Sequence, residues 1–590
     1  MPPLPVARAL RLGEAMNAPP LAHPVRFANL GREAACRPGE TLFQCARRAG
    51  IRIVGACGGR GVCGTCLVRV VSGDYELLGE AHADGWLRAC KLVPLGPCTV
   101  ELAPRSTAAI ARAEVGGRAA AFVFDTAVRV HDLTLTPPQL SDPQADADRL
   151  LARLGTSTID VALLRELPVL LRKHGWRVRA VTRGDEVIAL SSPGARVLGL
   201  AVDLGTTNAA GFLVDLQTGE RLGTLGIENP QASYGADVVS RVNHAIRSSS
   251  GGPELQAAAA VGIAELARDL CEAAQASTGD IAEIAVCGNT AMHHLLAGLP
   301  VAQLGRAPFV PTVTFSVEFK SRELGLPGTP GAVTYLLPNI GGFVGGDHVA
   351  VLLATEARWT GRTALVIDIG TNTEVSLISS HGISTVSCPS GPALEGGHIS
   401  CGMRAAEGAI ERVHARAGRL EIKTIGDAPP VGVCGSGVVD AIAAFRALEL
   451  IDRGGRIAGG AREIALAPGV AFTQHDVRAV QLAKAAIRAG IDLLLETNKI
   501  QPDAIELVLI AGAFGEYLGI EAALAIGLLP RLPLERIEQV GNAAGIGVAM
   551  ALASLGSRAR AVELAARCHY LELGTLPQFQ KTFIRRIGFD

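Results

Sequence analysis

Residues 197–216 read VLGLAVDLGTTNAAGFLVDL, in which an apolar run, a short polar turn and a second apolar run follow one another. The same order recurs in residues 363–378, which read TALVIDIGTNTEVSLI. Short runs rich in Val, Ile and Leu on either side of a glycine-containing turn predict β-hairpins. Because the element occurs twice, the sequence predicts an internal duplication from residue 197 onward.

Each predicted turn contains residues that suit the binding of a phosphate group. An Asp at a strand end can hold a hydrated Mg²⁺, glycine lets the backbone approach a phosphate, and threonine hydroxyls and backbone N–H groups bind its oxygens. One such turn is structural as often as functional, but two that face each other can hold one polyphosphate. We therefore predict catalytic carboxylates at Asp203 and Asp368. The predicted phosphate-binding residues are Gly205, Thr206, Thr207, Asn208, Gly370, Thr371 and Asn372.

At these residues the chain resembles the actin, Hsp70 and sugar-kinase (ASKHA) superfamily, which implies a two-lobed ATPase fold that binds ATP and Mg²⁺. Residues 336–354, LLPNIGGFVGGDHVAVLLA, resemble its first connecting helix, and Asp347 stands where relatives place an acidic residue that orients water or metal. Residues 540–554, VGNAAGIGVAMALAS, resemble its closing helix. Residues 505–518, IELVLIAGAFGEYL, resemble the adenosine motif, and the resemblance assigns the nucleoside to Gly512, Ala513, Phe514 and Gly515.

Two of these assignments have a structural alternative. Residues 434–444, CGSGVVDAIAA, form a glycine turn before a helix, and Gly435, Ser436 and Gly437 either touch the nucleotide or let the helix pack closely. Asp347 is either catalytic or an N-terminal helix cap, a position that Asp occupies well without a catalytic role.

A cysteine-rich segment lies far upstream, in residues 55–70, GACGGRGVCGTCLVRV, and is followed by LRACKLV in residues 87–93. The spacing C-x5-C-x2-C with a later cysteine supplies the four thiolates that a [2Fe–2S] cluster requires, and the glycines let the loop wrap closely around it. The predicted metal ligands are Cys57, Cys63, Cys66 and Cys90. A structural zinc site is the alternative, although zinc knuckles usually present two C-x2-C pairs and this segment has one. Cys36, Cys45 and Cys98 are weaker competitors as ligands, and of these Cys45 and Cys98 are predicted to be core thiols.

The segments around this loop predict the fold of its domain. Residues 38–53 contain an amphipathic helix with Leu42, Cys45, Ala46 and Ala49 on one face, and strands are predicted after Cys66 and from Cys98 to Leu102. This order suits a β-grasp ferredoxin. The full predicted organisation is an N-terminal extension (1–23), a ferredoxin-like domain (24–104), a linker (105–125), a small α/β middle domain (126–196) and the ATPase domain (197–590).

The composition of the 590 residues limits the possible partners. Lys and Arg number 55 against 56 Asp and Glu, and the absence of a basic stripe argues against nucleic acid and anionic membranes as partners. The first 23 residues lack the apolar run of a signal peptide, and Met16 is an alternative start of translation. The odd total of 13 cysteines does not suggest a disulfide framework, so we expect a cytoplasmic protein.

The combination of a ferredoxin with a nucleotide clamp closely resembles the reductive activators of corrinoid-dependent methyltransferases. The resemblance covers nearly the whole chain and rests on further segments, including 228–242 (ENPQASYGADVVSRV), 286–299 (VCGNTAMHHLLAGL) and 387–410 (SCPSGPALEGGHISCGMRAAEGAI). It implies ATP-dependent transfer of one electron, which reduces inactive Co(II) to Co(I) in a corrinoid protein of a methyltransferase system. It also implies an external electron donor (a ferredoxin, flavodoxin or reductase) and a homodimer. The chain lacks the DxHxxG motif of corrinoid proteins, so the cobalt is expected on the partner.

Other functions stay open from the sequence. An ATP-dependent activator of a radical dehydratase shares the actin-like fold but needs a cysteine pair that is not evident here, and a nucleotide-gated redox-sensing binding protein needs no electron acceptor. A small-molecule kinase leaves the ferredoxin without a purpose. The glycine-rich run 391–402 is interpreted as a surface that meets the corrinoid protein, and His293 and His294 as structural or partner-facing residues.

Overall fold

The computed structural model describes residues 22–49, 51, 53, 66–78, 85–103, 122–512 and 514–589. The chain divides into two compact units, whose described residues are those up to 103 and those from 122 onward. Among these residues, no helix combines the length and the apolar composition that a membrane span needs.

The described residues of the N-terminal unit form a five-stranded mixed sheet and a helix that packs on it, with the strand order β2-β1-β7-β3-β5. Strand β1 runs parallel to β7 and antiparallel to β2, as in a β-grasp fold. Leu42, Cys45 and Ala46 of the helix are buried against the sheet, as the sequence predicted. The elements are β1 (His23–Phe27), β2 (Arg32–Cys36), α1 (Leu42–Arg48), β3 (Leu67–Ser72), β4 (Tyr75–Leu77), β5 (Leu87–Arg88), β6 (Leu92–Pro94) and β7 (Cys98–Leu102).

The second unit begins with a small α/β domain, which the sequence also predicted. Its four-stranded sheet has the order β8-β10-β11-β9, and leucines of two helices pack against it. The elements are β8 (Val128–Thr134), α2 (Asp146–Leu154), β9 (Thr158–Ile159), α3 (Val161–Lys173), β10 (Arg177–Arg183) and β11 (Glu186–Ser191).

The first lobe contains a six-stranded sheet with the order β14-β13-β12-β15-β17-β16. Strands β12, β13 and β14 form an antiparallel meander, and β15 and β17 continue the sheet parallel to β12. The elements are β12 (Leu198–Leu204), β13 (Asn208–Asp215), β14 (Arg221–Glu228), α4 (Val238–Arg247), α5 (Gly251–Ala273), β15 (Ile281–Gly288), α6 (Thr290–Leu296), β16 (Val317–Lys320), β17 (Val333–Leu336) and α7 (Gly346–Trp359).

The second lobe repeats this topology, which confirms the predicted duplication. Its sheet has the order β27-β26-β18-β19-β20-β28, in which β18, β19 and β20 form the meander and β26 and β27 run parallel to β18. The sheet elements are β18 (Ala364–Ile369), β19 (Thr373–Ser379), β20 (Gly382–Cys388), β26 (Leu507–Ala511), β27 (Ile537–Gly541) and β28 (Cys568–Tyr570). The inserted elements are β21 (Ala409–Arg416), β22 (Arg419–Thr424), β23 (Gly432–Val433), α8 (Gly435–Ala447), β24 (Glu463–Ala467), β25 (Val470–Thr473) and α9 (Gln474–Asn498).

The two lobes share a core in which helix α7 packs against the helix that follows β27. The C-terminal helices are α10 (Ile520–Ala525), α11 (Ala543–Ala553), α12 (Leu555–Arg567) and α13 (Pro577–Arg585). A Cβ atom on Gly547 would lie 2.0 Å from the carbonyl oxygen of Ala350, so only glycine permits this helix crossing. These helices are the predicted connecting and closing helices, and they fix the position of Asp347 at the start of α7.

Candidate functional site

The two predicted phosphate-binding turns meet in a cleft between the lobes. We call residues 205–208 the first loop and residues 370–372 the second loop; each connects the first two strands of its meander. The hydroxyl oxygens of Thr207 and Thr371 lie 2.6 Å apart. The two turns therefore face each other, as a shared polyphosphate site requires.

The three predicted catalytic carboxylates lie around this meeting point. Asp203 and Asp368 are each the last residue but one of their strand, β12 and β18, and Asp347 is the second residue of α7. Burial raises the pKa of Asp203 to about 6 and that of Asp347 to about 7, and it holds the pKa of Asp368 well above its usual range. Repulsion from Asp203 adds to the shifts of the other two. Buried carboxylates that repel one another are a donor set that suits a divalent cation.

The structure does not place Asp347 at the helix cap that was its structural alternative: Gly345 is the N-cap of α7, and Asp347 lies in the first turn. Its Oδ1 accepts a hydrogen bond of 2.8 Å from the backbone N–H of His348, in the first turn of α7. A Cβ on the preceding Gly345 would lie 2.3 Å from the carbonyl oxygen of Gly288, so the start of the helix is pressed against the end of β15. The carboxylate is thus held in place by the backbone of its own helix.

Two acidic residues at this site were missed by sequence reasoning. Glu395 ends a short helical turn, and its Oε2 accepts hydrogen bonds from Thr371 (2.8 Å) and Thr207 (3.3 Å). Glu374, in β19, accepts a hydrogen bond of 3.1 Å from the Ser387 hydroxyl, and burial holds its pKa well above the usual range. The only signal for Glu395 was an acidic residue within a glycine-rich run. The interpretation of residues 391–402 as a partner surface stays a prediction. Within this run, the Glu395 side chain contacts the two loops.

The backbone of the first loop is held from behind by Asn229 and Arg241. Asn229 donates two hydrogen bonds: its side chain to the carbonyl oxygen of Gly205 (2.8 Å) and its backbone N–H to the carbonyl oxygen of Thr207 (3.0 Å). Arg241 donates to the carbonyl oxygen of Thr206. Because a trans peptide points its N–H away from its C=O, the N–H groups of Thr206 and Thr207 point the other way. Neither N–H group donates a hydrogen bond within the described part of the chain. Both are therefore available to an anion.

The last residue of the first loop, Asn208, has a buried side-chain oxygen. This atom, Oδ1, has no hydrogen-bond partner among the described residues. Buried polar atoms normally have a partner, so this oxygen marks a place that a bound molecule or water fills.

Two of the four predicted cluster ligands are described, and they lie together. The Sγ atoms of Cys66 and Cys90 are 3.4 Å apart, although 24 positions separate them in the sequence. Two sulfurs bound to one tetrahedral metal at about 2.3 Å would lie about 3.8 Å apart, so the pair fits a shared metal ion. Cys57 and Cys63 lie outside the described residues.

The competing cysteines occupy other positions in the N-terminal unit. Cys98 is buried in β7, and burial raises the pKa of its thiol. Cys36 and Cys45 are buried beside Glu40, and the ligand atoms of the three lie within 4.8 Å of one another. Both carboxylate oxygens of Glu40 already accept hydrogen bonds from Arg48, at 2.8 and 2.9 Å. This group is accordingly a structural one.

Family models match four successive parts of the chain. A 2Fe-2S iron-sulfur cluster binding domain matches residues 26–95, the RACo linker region 117–196, the RACo middle region 198–358, and the C-terminal domain of RACo, the ASKHA domain, 362–589. The corrinoid activation enzyme RamQ of Eubacterium limosum is 32% identical over 567 residues, which cover 90% of this chain and 93% of that relative. The chain belongs to the family of reductive activators of corrinoid proteins.

Two further comparisons support this membership. The solved structure of a reductive activator for corrinoid, iron–sulfur protein superimposes with a TM-score of 0.71 at 31% identity, covering 96% of this chain and 98% of that one. The [Co(II) methylated amine-specific corrinoid protein] reductase of Methanosarcina barkeri is 28% identical over 375 residues, 58% of this chain and 68% of that relative. The predicted fold class and family are both confirmed. The iron–sulfur match favours a [2Fe–2S] cluster over zinc, and the ASKHA match supports nucleotide binding.

In this reductive activator the predicted adenosine motif lies beside the second loop. A Cβ on Gly512 would lie 2.4 Å from the carbonyl oxygen of Ile369 and 3.0 Å from Oδ1 of Asp368. A Cβ on Gly435 would lie 2.9 Å from the ring of Phe514, so the glycine turn before α8 touches this motif. Ala513 lies outside the described residues, and Gly515 begins the short helical turn Gly515–Tyr517.

The other two residues of the glycine turn serve packing in this reductive activator. The Ser436 hydroxyl donates to the carbonyl oxygen of Glu411 at 3.0 Å, and a Cβ on Gly437 would lie 2.2 Å from that of Ile410. These contacts favour the structural alternative for Ser436 and Gly437, while Gly435 keeps its place next to the adenosine motif.

Cavities flank the adenosine motif on two sides. One, of about 630 Å³, lies between α8 and α10 and is lined by small residues such as Ala443 and Ala522. The other, of about 440 Å³, lies beside α7 and α11. Gln539 lines both, and its Nε2 donates to the carbonyl oxygens of Gly515 (2.6 Å), Glu516 (2.9 Å) and Leu518 (3.0 Å). The turn is thereby held rigid between two spaces of ligand size.

The two adjacent histidines differ in their surroundings. His294 is buried, and both of its ring nitrogens have a hydrogen-bond partner. Nδ1 lies 2.8 Å from the Thr290 carbonyl oxygen, and Nε2 accepts a hydrogen bond of 2.9 Å from the backbone N–H of Thr312. His293 is buried with no partner for either nitrogen among the described residues, and burial lowers its pKa to about 3. His294 is therefore a structural residue, which is one of the two roles that the sequence left open.

Proposed function

We propose that the chain reduces Co(II) to Co(I) in a corrinoid protein of a methyltransferase system, in a reaction that depends on ATP. Each event takes one electron from an external donor and delivers it to the cobalt of the partner, while ATP and water give ADP and phosphate. The observation that carries the proposal is the match to RamQ over 93% of that relative, in a chain with both the cysteine pair and the paired loops.

The paired loops are proposed to hold the phosphates of ATP. The N–H groups of Thr206 and Thr207 supply donors that no described residue occupies. The hydroxyls of Thr207 and Thr371, which donate to Glu395 in the structure, add two donors once they turn from Glu395 to the phosphate. Gly205 allows the first turn, because a Cβ there would lie 2.7 Å from the Asn208 carbonyl oxygen, whereas a Cβ on Gly370 would lie 3.4 Å from its nearest neighbour, the Asn372 carbonyl oxygen. N–H donors that are already fixed in place bind phosphate without being reorganised, which favours tight binding.

The carboxylates Asp203, Asp347 and Asp368 are proposed to hold Mg²⁺. A bound Mg²⁺ neutralises phosphate charge. Ionised and close together, these side chains repel one another, and the raised pKa values support a site that is complete only with a cation. We assign Asp347 the further role of accepting a hydrogen bond from the attacking water, because the N–H of His348 fixes its orientation.

Cys57, Cys63, Cys66 and Cys90 are proposed to hold the [2Fe–2S] cluster, which supplies one-electron transfer when bound. The 3.4 Å between the sulfurs of Cys66 and Cys90 supports this assignment. The donor is proposed to be a ferredoxin, flavodoxin or reductase, and the protein to be a cytoplasmic homodimer with neither nucleic acid nor membrane as a partner. The balanced charge of the chain supports the last point.

The activity is tested with the full chain, a cognate Co(II) corrinoid protein, Mg-ATP and a low-potential reductant such as Ti(III) citrate. We expect the absorption of Co(I) to appear and the EPR signal of Co(II) to decline only when ATP and reductant are both present. Absence of Co(I) with every cognate corrinoid protein contradicts the proposal. ATP turnover that responds to the redox state but not to the partner would instead identify a redox sensor.

The cluster ligands are tested by EPR of the reduced protein. The wild type is expected to give one S = 1/2 signal of a [2Fe–2S] centre. Cys90→Ser should remove this signal and Cys98→Ser should keep it, because Cys98 is a core thiol of β7 and serves as the matched control. Retention of the signal in Cys90→Ser would refute the assignment of the fourth ligand.

A further inference from the structure

Arg241, in α4, lies directly behind the first loop and is completely buried. Nη2 donates to the carbonyl oxygen of Thr206, Nε donates to that of Gly235 (2.9 Å), and Nη1 contacts Gln231 Oε1 (3.4 Å) and Met292 Sδ (3.0 Å). All four acceptors are uncharged. Within the described residues, no carboxylate oxygen lies within 4.0 Å of this guanidinium.

This isolation distinguishes Arg241 from the other buried arginines of the described chain. Four others are less than a tenth exposed, and each has a carboxylate partner. The pairs are Arg149 with Asp142 (2.7 Å), Arg179 with Asp132 (2.6 Å), Arg488 with Asp492 (3.0 Å) and Arg558 with Glu283 (2.8 Å). The fold therefore pairs its buried arginines, and Arg241 is the exception among them.

A buried charge without a counter-charge is unfavourable, and the structure shows this cost. Burial lowers the pKa of Arg241 to about 9, and the more distant Asp237 and Glu228 offset the effect only in part. The side chain remains charged near neutral pH. An anion that approaches the other face of the first loop would supply the missing counter-charge.

The position of Arg241 indicates where that anion binds. The carbonyl oxygen of Thr206 and the N–H of Thr207 belong to one planar peptide group, so a guanidinium on the carbonyl side directs the N–H toward the opposite side. It also polarises the peptide, which strengthens that N–H as a donor. One side of the peptide thus holds the cation and the other side faces the cleft.

We propose that Arg241 is a positioning residue for the phosphates of the nucleotide: it orients the Thr206–Thr207 peptide and its charge is balanced by the polyphosphate. The proposal rests on the proposed function, since it takes the cleft as the nucleotide site. Arg241 acts through the loop and does not touch the phosphate. Its contribution therefore depends on the charge of the ligand.

The test compares Mg-ATP, Mg-ADP and adenosine in binding to the full-length wild type and Arg241→Met, by calorimetry and thermal unfolding. We expect Arg241→Met to weaken the binding of Mg-ATP by about tenfold or more and the binding of Mg-ADP by a smaller factor. The binding of adenosine should weaken by less than about twofold. Without ligand its unfolding temperature should be unchanged or higher, because an unpaired buried charge has been removed. The matched control is Arg488→Met, which should lower the unfolding temperature and keep the affinity for Mg-ATP.

Each alternative result has a defined meaning. Equal weakening of all three ligands, or no weakening for Mg-ATP, overturns the proposal. If Arg241→Met does not fold, Arg241→Lys decides, because it keeps the charge and loses the fork of donors: a graded loss that follows ligand charge supports the proposal. If neither variant folds, Arg241 is only structural and the proposal is wrong. A wild type that binds no Mg-ATP refutes the proposed function itself.

Discussion

The first and second loops occupy equivalent places in two sheets of the same topology, β14-β13-β12-β15-β17 and β20-β19-β18-β26-β27. Behind the first loop lie an amide and a cation, Asn229 and Arg241, which hold its carbonyl oxygens. Beside the second loop lie the acidic residues Glu374 and Glu395, and the hydroxyl of Ser390 is bonded to the Thr371 carbonyl oxygen at 3.3 Å. The duplication has kept the topology and the Asp before each loop, but the supports of the two loops differ in charge: a cation lies behind the first loop, and carboxylates lie beside the second.

The largest expected effect comes from Asp368→Asn, in the second half. Asp368 is repelled by Asp347, Asp203 and Glu395, and its neutralisation removes a proposed Mg²⁺ ligand while relieving this repulsion. We expect ATP turnover to fall by about a hundredfold or more. The ligand-free protein should at the same time unfold at a higher temperature, because a carboxyl with a raised pKa is less unfavourable when uncharged.

The equivalent residue of the first half is the matched comparison. Asp203 receives hydrogen bonds from Asn542 and Cys287, which lower its pKa against the larger effect of burial. Asp203→Asn should therefore raise the unfolding temperature less than Asp368→Asn, as measured by calorimetry with both variants at pH 7.5. A larger rise in Asp203→Asn would break the comparison between the halves.

The sequence predicted those parts of the site that local patterns determine. An apolar run, Asp, Gly and Thr form a turn through neighbouring residues alone, so Asp203 and Asp368 were found from their own segments. The cysteine spacing is local in the same sense, and Cys66 and Cys90 lie together as expected. The roles of the predicted site residues and the domain boundaries remain predictions.

The remaining residues depend on contacts between distant segments. Arg241 follows two valines and a serine in a helix, a pattern equally typical of an exposed arginine, and only its contact with Thr206 reveals its place. Glu395 stands in a glycine-rich run, where Gly391 and Gly396 adopt positive φ angles of 67° and 82° and turn the chain into the cleft. A rule based on sequence spacing cannot predict the contact of Arg241 with Thr206 or that of Glu395 with the two loops, because such contacts form only when the chain has folded.

Glu395→Gln is expected to produce the next largest effect, of opposite sign to Arg241→Met. The Glu395 carboxylate accepts hydrogen bonds from both Thr371 and Thr207, the positions proposed for phosphate oxygens. Without Mg²⁺ it should repel ATP, so the glutamine variant should bind Mg²⁺-free ATP about tenfold more tightly than the wild type. Calorimetry with EDTA and ATP measures this change. Weaker binding would show that the carboxylate, and not its repulsion, is needed for the nucleotide.

The pH dependence of stability offers a test of the buried carboxylates around the two loops. Asp203 and Asp347 have folded-state pKa values of about 6 and about 7, above their unfolded values, so the folded state binds more protons between about pH 4 and 7. Their contribution to stability is therefore lost as the pH rises through this window. We expect the ligand-free unfolding temperature to fall from pH 5 to pH 7.5 and Mg²⁺ to reduce that fall. An unchanged slope with Mg²⁺ would argue against a metal at these carboxylates.

The smallest expected effect compares the supports of the two loops, through Asn229→Ala and Ser390→Ala. Asn229 donates to the Gly205 carbonyl oxygen at 2.8 Å, whereas Ser390 donates to that of Thr371 at 3.3 Å and also contacts Thr373. A buried hydrogen bond contributes about 1 kcal/mol, so Asn229→Ala should raise the KM for ATP about fivefold. The longer bond of Ser390 should give a change of at most about twofold.

Steady-state ATP turnover separates these two outcomes. Both variants should keep kcat, because Asn229 and Ser390 bond the loop carbonyl oxygens and neither is hydrogen-bonded to one of the three aspartates within the described residues. If Ser390→Ala raised KM more than Asn229→Ala, the second loop would be the one that depends on support from behind. The phosphates would then be held mainly by the loop that has the acidic residues beside it. The difference in charge between the supports of the two loops would not explain how the nucleotide is held.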